Sequence, residues 1–301
     1  MAPTQVRVRV PGKINLHLSV GAVRSDGYHD LFTVFHAVDL YDEVVARPGH
    51  GLQLTVYGEG AGAVPVDERN LAWRAASLLA DHAQVPPHAC IDLTKSIPVA
   101  AGMAGGSADA AGTLLACAEL WGLRVDRSEL LDLAPRLGAD VAFALQGGTA
   151  VGTGIGEQLA PVLTTGTFHW VLALSDKAIS AGEAYRELDR QRAQSAPVQP
   201  DAADALIDAL RDGDPERLAS ALTNDLAAAA TTLLPELDRT LAAGEELQAL
   251  AGIVSGSGPT CAFLARAADD AARTAAGLDR AGVCRVTRLA TGPVPGARLI
   301  R

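Results

Sequence analysis

The stretch PVAAGMAGGSADAAGTLL, residues 98–115, joins a glycine-rich loop directly to an alanine- and leucine-rich run that is typical of a helix. The first N–H groups of a helix have no intrahelical partner and carry a partial positive charge. Because glycine has no Cβ, an anion is able to approach such a backbone closely. The stretch therefore predicts a phosphate-binding loop at a helix start, with a plain strand-to-helix turn as the alternative.

The loop differs from three common patterns of similar composition. It contains no lysine, so it is not the G-x-x-x-x-G-K-[ST] loop of P-loop NTPases. Its glycines do not have the G-x-G-x-x-G spacing of dinucleotide-binding folds. GGSAD (105–109) and SGSGP (255–259) each lack one glycine of the G-x-S-x-G hydrolase elbow. On the loop alone, the choice between a phosphate site and a plain turn stays open.

The composition of the chain narrows the class of protein. Its 301 residues are 49% hydrophobic and 20% charged, as in a packed globular protein of one or two domains. A formal net charge of −10 argues against a nucleic-acid or anionic-membrane surface. The four cysteines form no C-x-x-C pair and the seven histidines no H-E-x-x-H motif, which argues against a disulfide framework and a zinc site.

Two absences bear on location. The N-terminus has no apolar core of a signal peptide, and no run of about 18 apolar residues is present to span a membrane. We therefore expect a cytoplasmic protein without a membrane partner. The composition does not indicate an oligomeric state.

Hydrophobic periodicity divides the chain into two α+β halves. Alternation predicts strands, whereas apolar spacing of three to four residues predicts helices, among them one over 70–83 with Asn70 as its N-cap. We expect two lobes, 1–165 and 166–301. The predicted strands are 5–10, 13–20, 31–48, 51–58, 89–98, the two arms of 141–162, 169–175, the two arms of 252–265, and 284–290; the other predicted helices are 107–121, 127–138, 182–193, most of 203–250, and 269–282.

Three further stretches extend the argument beyond the loop. They are PGKINLHLSVGAVRSDGYHDLFTVF (11–35), LGADVAFALQGGTAVGTGIGE (137–157) and VSGSGPTCAF (254–263). Together with the loop they resemble, in order along the chain, the motifs of the GHMP kinases, which transfer phosphate from ATP to small molecules. The resemblance implies a two-lobed α+β fold with the active site in the cleft between the lobes, ATP as phosphoryl donor and Mg²⁺.

The first of these stretches points to one acceptor. KINL (13–16) and DGYH (26–29) resemble the members of the family that phosphorylate the 2-hydroxyl of a cytidine diphosphate-linked methylerythritol, in the non-mevalonate route to isoprenoid precursors. The alternatives are a kinase for homoserine, mevalonate or a sugar, and a non-catalytic nucleotide-binding protein. Aromatic rings suited to a base argue against a kinase for homoserine, mevalonate or a sugar. The joint presence of Lys13 and Asp140 argues against a non-catalytic binding protein.

The resemblance assigns catalysis to Lys13 and Asp140. Asp140 would accept the proton of the attacking hydroxyl, and Lys13 would keep Asp140 ionised and lower the pKa of that hydroxyl. The residues alone favour the alternative that Asp140 is a turn or capping aspartate ahead of an apolar strand. Lys13 is equally a lysine that points from its strand into solvent.

The resemblance also assigns the ATP phosphates to the loop. Ser107 would bind a phosphate or Mg²⁺, with a helix N-cap as the alternative role. The family more often has two serines in a row here, whereas Ser107 is followed by Ala108, so a role for a second hydroxyl is in doubt. The predicted ATP-binding residues are Pro98, Ala101, Gly102, Met103, Ala104, Gly105, Gly106, Ser107 and Ala108.

The acceptor site is the third assignment that the resemblance carries. Tyr28 would stack on cytosine, His29 would hydrogen-bond the edge of the base, and Tyr185 would stack on its other face. The alternatives are a surface hairpin tip for Tyr28 and His29 and a core aromatic for Tyr185. The predicted substrate-binding residues are Asn15, Asp26, Tyr28, His29, Asp140, Tyr185, Gly256, Ser257 and Gly258.

Overall fold

A long hairpin organises the N-terminal half of the protein. The computed structural model describes residues 3–193, 200 and 202–300, and in it β1 (Val6–Val23) pairs antiparallel with β2 (His29–Arg47). The sequence predicts two strands separated at Pro11–Gly12, but β1 continues through this point with a shift of register. A proline is tolerated at such an irregularity because the ladder is already interrupted there.

Two sheets carry the fold. The first has the order β12-β1-β2-β4-β3, with β5 and β6 joined through β2 and with β8 beside β1; the second has the order β11-β7-β10-β9. The bounds are β3 Leu52–Gly58, β4 Ala89–Lys95, β5 Thr149–Thr153, β6 Gln158–Pro161, β7 Phe168–Leu174, β8 Thr223–Asn224, β9 Ala251–Val254, β10 Cys261–Ala265, β11 Val286–Gly292 and β12 Arg298–Ile300.

The helices cover these sheets. The bounds are α1 Leu71–Ala83, α2 Gly105–Leu120, α3 Arg127–Leu133, α4 Val141–Gln146, α5 Ala181–Arg192, α6 Asp204–Asp212, α7 Pro215–Ala221, α8 Ala227–Leu233, α9 Glu236–Glu246 and α10 Ala268–Ala281. Within the described part of the chain, no helix is both long and apolar enough to cross a membrane. The predicted loop at 194–202 lies mostly outside the described residues.

The helix that follows the glycine-rich loop is deeply buried. Most of α2 is closed to solvent, and at Gly112 a Cβ would press against the side chains of Val10 and Val44. This close packing fixes α2 against β1 and β2, so the start of the helix is held at a defined place on the sheet. The predicted cap of the preceding helix is confirmed, because the Asn70 side chain accepts a hydrogen bond from Ala72 N at 2.8 Å.

The two halves of the chain are not independent in the first sheet. β12, at the C-terminal end of the described chain, pairs with β1, and β8 lies parallel to β1 from the other side of the predicted division near residue 165. One core cluster also contains Trp170 and Ala297 together with residues of β1 and α2. The mixed α+β character is confirmed, while the two-lobe division at 165 stays a prediction.

One stretch differs from the sequence-based prediction. Residues 141–146 were expected to form a strand, but they form helix α4. A short, continuously apolar run has no periodicity that separates a buried strand from a buried helix. The correction matters for Asp140, which stands at the start of a helix rather than ahead of a strand.

Candidate active site

A cavity of about 550 Å³ lies between the two halves of the chain. Its walls come from β1, the start of β2, the glycine-rich loop, the turn before α4, helix α5 and the turn between β9 and β10. The residues predicted from the sequence that line it are Lys13, Asn15, Tyr28, His29, Gly102, Ala104, Ser107, Asp140, Tyr185, Gly256 and Ser257.

Other predicted residues lie off the wall of this cavity. Asp26 instead accepts a hydrogen bond from Tyr28 N at 3.0 Å and pairs with Arg24 at 2.9 Å, so its carboxylate shapes the turn. Met103 is fully buried in the core. The remaining residues in this group are Pro98, Ala101, Gly105, Gly106, Ala108 and Gly258.

Lys13 is the central cation of the site. Its side chain is buried, and Nζ donates to Asn15 Oδ1 at 2.7 Å and to the carbonyl oxygen of Gly102 at 3.0 Å. Asp140 Oδ2 lies 3.7 Å from the same nitrogen. Burial lowers the pKa of Lys13, while the Asp140 carboxylate opposes that shift. The lysine points into the site and not into solvent.

Asn15 is itself fixed from behind. Its Nδ2 donates to Thr33 Oγ1 at 2.8 Å, and the Thr33 hydroxyl donates to the carbonyl oxygen of His17 at 2.7 Å. This chain assigns the amide orientation, because Oδ1 must then face the ammonium of Lys13. Thr33 was not predicted as a site residue.

Asp140 keeps its carboxylate free for the cavity. It occupies the N-cap position of α4, but its side chain accepts no capping hydrogen bond, so the capping alternative does not describe it. The side chain is 29% exposed and lines the cavity. A carboxylate held beside a buried ammonium and open to a cavity is placed to accept a proton.

The glycine-rich loop has the geometry of an anion site. Ala100, Gly102 and Ala104 all have positive φ, at 52°, 74° and 59°. A Cβ on Gly102 would overlap the carbonyl oxygen of Ser255, so only glycine fits there. Helix α2 then begins without a side-chain cap, which leaves the N–H groups of its first turn for a ligand.

Ser107 lies on the third residue of α2 and not at its N-cap, so the capping alternative is wrong. Ser107 lines the cavity, and its hydroxyl makes no hydrogen bond to the described residues. The hydroxyl is therefore available to a ligand.

A buried charge cluster, which sequence reasoning missed, supports the loop. Lys95 Nζ donates to Asp42, to Asp109 Oδ2 at 2.6 Å and to the carbonyl oxygen of Gly105 at 3.2 Å. The other Asp42 oxygen accepts from the backbone N–H groups of residues 96 and 97 at 2.6 and 2.8 Å. The cluster thus ties β2, the end of β4 and the first turn of α2 together.

The protonation of this cluster follows from its burial. Burial opposes the charge on Lys95, but the two carboxylates outweigh it and raise the pKa of the lysine. Burial, with repulsion from Asp42, raises the pKa of Asp109 to about 7 against the pull of Lys95. One oxygen of Asp109 is buried without a hydrogen-bond partner. The alternation of Ala89, Ile91, Leu93 and Lys95 along β4 was a sequence signal for a buried lysine.

The turn between β9 and β10 closes the site from the C-terminal half. Ser255 Oγ donates to the carbonyl oxygen of Gly102 at 3.2 Å. Asn224 Nδ2 donates to the carbonyl oxygens of Val254 and Gly256 at 2.8 and 2.7 Å, which holds the turn in place. Neither Ser255 nor Asn224 was predicted.

Aromatic rings occupy the end of the cavity near α5. The rings of His29 and Tyr185 stack, with centroids 5.1 Å apart and planes at 23°. His29 Nε2 lies 2.8 Å from Asp189 Oδ1, a contact that was not predicted. Tyr28 is 59% exposed, and burial raises the pKa of the Tyr185 hydroxyl. Tyr185 packs against His29 and also lines the cavity, so its stacking on a base stays a prediction.

The described residues contain no group of three or more His, Cys, Asp or Glu side chains that would hold a metal. Mg²⁺ in kinases is held largely by substrate phosphates and water, with one or two protein ligands. The free hydroxyl of Ser107 on the cavity wall fits a metal of that kind.

Comparison with known proteins decides the family. The GHMP kinases N terminal domain matches residues 70–148, and the GHMP kinases C terminal domain matches residues 206–284. A relative from Mycobacterium bovis, 4-diphosphocytidyl-2-C-methyl-D-erythritol kinase, is 57% identical over 295 residues, which is 98% of this chain and 93% of the relative.

The chain belongs to the GHMP kinase family. It is thereby an ATP-dependent small-molecule kinase, as the resemblance of its motifs implied.

Solved structures of the family have the same fold. A crystal structure of 4-(cytidine 5′-diphospho)-2C-methyl-D-erythritol kinase matches with a TM-score of 0.77 and 33% identity, over 94% of this chain and 98% of that chain. Homoserine kinase from Cytophaga hutchinsonii matches with a TM-score of 0.79 at 19% identity, over 100% of this chain and 98% of that one. Because kinases for different acceptors share this GHMP kinase fold, the acceptor must be argued from the cavity.

Proposed function

We propose that this GHMP kinase transfers the γ-phosphate of ATP to the 2-hydroxyl of 4-diphosphocytidyl-2-C-methyl-D-erythritol. The observation that carries the proposal is one cavity with the Lys13–Asp140 pair among its polar residues and the rings of Tyr28, His29 and Tyr185 on its wall. The names of the Mycobacterium bovis relative and of the matching crystal structure support the same acceptor.

Asp140 removes the proton in this mechanism. The acceptor 2-hydroxyl gives its proton to the carboxylate as its oxygen attacks the γ-phosphorus. The bond from that phosphorus to the oxygen bridging the β- and γ-phosphates breaks, and ADP leaves with the electron pair. After the products depart, the proton on Asp140 passes to water, so the carboxylate is ionised again for the next turnover.

Lys13 assists the same step by electrostatics. Its ammonium lies between the Asp140 carboxylate at 3.7 Å and the loop carbonyl of Gly102 at 3.0 Å. A buried positive charge next to the reacting oxygen favours the developing alkoxide and keeps Asp140 ionised between turnovers. Asn15 fixes the lysine by its 2.7 Å hydrogen bond.

The loop and the start of α2 bind the triphosphate in the proposal. The uncapped first turn of α2 supplies N–H donors, and Gly102 lets the loop pack closely against the turn between β9 and β10. Ser107 would hold Mg²⁺ together with the phosphates, and the metal would neutralise charge on the transferred group. A second serine directly after Ser107 is not required in this proposal, because Ser107 already presents one free hydroxyl to the cavity.

The aromatic end of the cavity separates this acceptor from the alternatives. Homoserine, mevalonate and sugars have no base to stack on an exposed tyrosine or to hydrogen-bond a histidine. A nucleobase uses both, since stacking is favourable for any base and the hydrogen bond selects among bases. The cytoplasmic location and the absence of nucleic-acid or membrane partners stay predictions from the sequence.

Acceptor competition tests the proposed function. The purified protein, with ATP and Mg²⁺, is given 4-diphosphocytidyl-2-C-methyl-D-erythritol, homoserine, mevalonate or a free sugar, and ADP release is measured. We expect the cytidylated acceptor to have the highest kcat/KM by at least about 100-fold, because only it uses both ends of the cavity. A higher kcat/KM for one of the other acceptors overturns the proposal and leaves the kinase class intact.

A further inference from the structure

The His29 side chain is held on two sides by helix α5. Tyr185 stacks on the ring at 5.1 Å, and Asp189 Oδ1 lies 2.8 Å from Nε2. Tyr185 and Asp189 are four residues apart on the helix, so they share one face and reach the same ring. The His29 side chain is 6% exposed, whereas that of Asp189 is 47% exposed.

The hydrogen bond to Asp189 determines where the imidazole carries its proton. An ionised carboxylate only accepts hydrogen bonds, so Nε2 of His29 must be the donor. In the neutral ring the other nitrogen, Nδ1, is then an acceptor. Nδ1 makes no hydrogen bond to any described residue and is not among the buried atoms that lack a partner. It is therefore open to a ligand in the cavity that His29 lines.

We propose that Asp189 is a positioning residue that fixes the Nε2–H tautomer of His29 and so makes the cavity select cytosine over uracil. Cytosine presents an N4 amino donor where uracil presents an O4 carbonyl acceptor. An acceptor nitrogen on His29 accepts a hydrogen bond from the N4 amino group of cytosine. Against the O4 carbonyl of uracil, the same nitrogen would place two lone pairs face to face. The inference rests on the proposed function, because it assumes that the acceptor carries a base.

This role requires the carboxylate of Asp189, which only accepts hydrogen bonds. A side chain of the same shape that is also able to donate is not sufficient. In Asp189→Asn the amide has both an acceptor oxygen and a donor nitrogen. The donor allows His29 to carry its proton on Nδ1, which suits the carbonyl of uracil. The variant is therefore expected to lose preference between the two bases without losing the stacking surface.

The experiment measures binding of CDP and UDP by calorimetry, and turnover of the cytidylated acceptor. Asp189→Asn should weaken CDP binding by about ten-fold, the effect of one hydrogen bond, and should leave UDP binding unchanged or make it tighter. The KM for the acceptor should rise similarly, while kcat and the KM for ATP stay near the wild-type values. Long-range ¹⁵N–¹H NMR of His29 should report the Nε2–H tautomer in the wild type and a mixture in the variant.

Two controls separate this role from a merely structural one. Glu187→Gln makes the same chemical change on α5, but Glu187 bonds Arg190 and Gln191 and does not line the cavity. It should leave the ratio of CDP to UDP affinity unchanged. Asp189→Glu keeps a carboxylate and should restore much of that ratio.

The outcomes distinguish the inference from the function beneath it. If the wild type turns over the cytidylated acceptor and Asp189→Asn keeps the wild-type ratio and tautomer, the inference is wrong and the function stands. An equal loss of CDP and UDP binding also overturns the inference, because it indicates a collapsed site. If the wild type does not phosphorylate the cytidylated acceptor, the proposed function is wrong, whatever the base preference.

Discussion

Lys13 Nζ donates a hydrogen bond to the carbonyl oxygen of Gly102 at 3.0 Å, which joins the proposed reaction centre to the phosphate loop. The same carbonyl accepts from Ser255 Oγ at 3.2 Å, on the turn supplied by the C-terminal half. The ammonium also lies 3.7 Å from Asp140. One lysine is therefore a neighbour of the general base and a support of the loop, so its loss should affect both.

Asp140→Asn should remove most phosphoryl transfer and leave ATP binding nearly unchanged. The amide cannot accept the hydroxyl proton, and general-base effects are worth about 100-fold or more in kcat. The fold should survive, because the Asp140 side chain makes no capping hydrogen bond. Steady-state kinetics and ATP calorimetry check both statements. Near-normal turnover by a pure variant would rule out Asp140 as the base.

Lys13→Met should lower kcat and also raise the KM for ATP, since Gly102 loses the Lys13 hydrogen bond and keeps that of Ser255. Methionine fills a similar volume in the buried position. In the double variant with Asp140→Asn, the loss in kcat should be smaller than the product of the single losses, because the two groups act as a unit. Multiplicative losses would show that they act independently.

Gly102→Ala tests the close approach of the loop to the turn between β9 and β10. The φ of 74° disfavours alanine, and its Cβ would overlap the carbonyl oxygen of Ser255. We expect a rise of at least about ten-fold in the KM for ATP, together with a lower Tm. Gly122→Ala is the matched control, because Gly122 also has a positive φ, of 62°, but a Cβ there meets nothing within 4 Å. Equal effects of the two variants on ATP binding would remove the loop from the phosphate site.

Asp109 predicts a pH dependence of stability. Its pKa is raised from the ordinary 3.8 to about 7, so the folded state holds a proton that the unfolded state has already lost. The contribution of Asp109 to the free energy of unfolding is therefore full at low pH and falls as the pH rises from about 4 to about 7. Asp109→Asn has no such proton, so its Tm relative to wild type should rise across that window by at least about 2 °C.

The measurement is a thermal melt of both proteins at several pH values. Asp208→Asn, which removes an exposed carboxylate paired with Arg211, gives the effect of a surface charge alone. A Tm difference for Asp109→Asn that is flat with pH, or parallel to that of Asp208→Asn, would contradict the raised pKa.

Local sequence patterns predicted elements well where one periodicity dominated. The alternating strands of the first sheet and the Asn70-capped helix are of this kind. The prediction for residues 141–146 was wrong because the run of five apolar residues at 141–145 satisfies a buried strand and a buried helix equally. The short strand β12 was missed because its pairing with β1 is a contact across almost the whole chain, which no local pattern encodes.

The residues of the site also divide into those that a local motif predicted and those that it did not. Residues within recognisable motifs, such as Lys13 and Asp140, were predicted, and the structure places their charges 3.7 Å apart. Supporting residues from distant segments were missed, since Asp42 and Asn224 have no motif that points to their partners. Asp189 had a usable signal, because it lies four residues after Tyr185 on one helix face.

Tyr28→Ala tests the acceptor most directly. Tyr28 is 59% exposed on the wall of the cavity, so truncation to alanine removes a ring without opening the core. Stacking of an aromatic side chain on a base is worth about 1–3 kcal/mol, so acceptor binding should weaken by about ten- to a hundred-fold. ATP affinity should barely change, and Tyr28→Phe, which keeps the ring, should cost far less.

Tyr57→Ala is the matched control for that variant, because Tyr57 is similarly exposed, at 52%, but does not line the cavity. It should leave acceptor binding at the wild-type value. The acceptor without its cytidine diphosphate should bind the wild type poorly and lose nothing further in Tyr28→Ala, since it has no base to stack. If Tyr28→Ala binds the cytidylated acceptor as tightly as Tyr57→Ala does, the ring does not contact a base, and a smaller acceptor becomes the better explanation of this cavity.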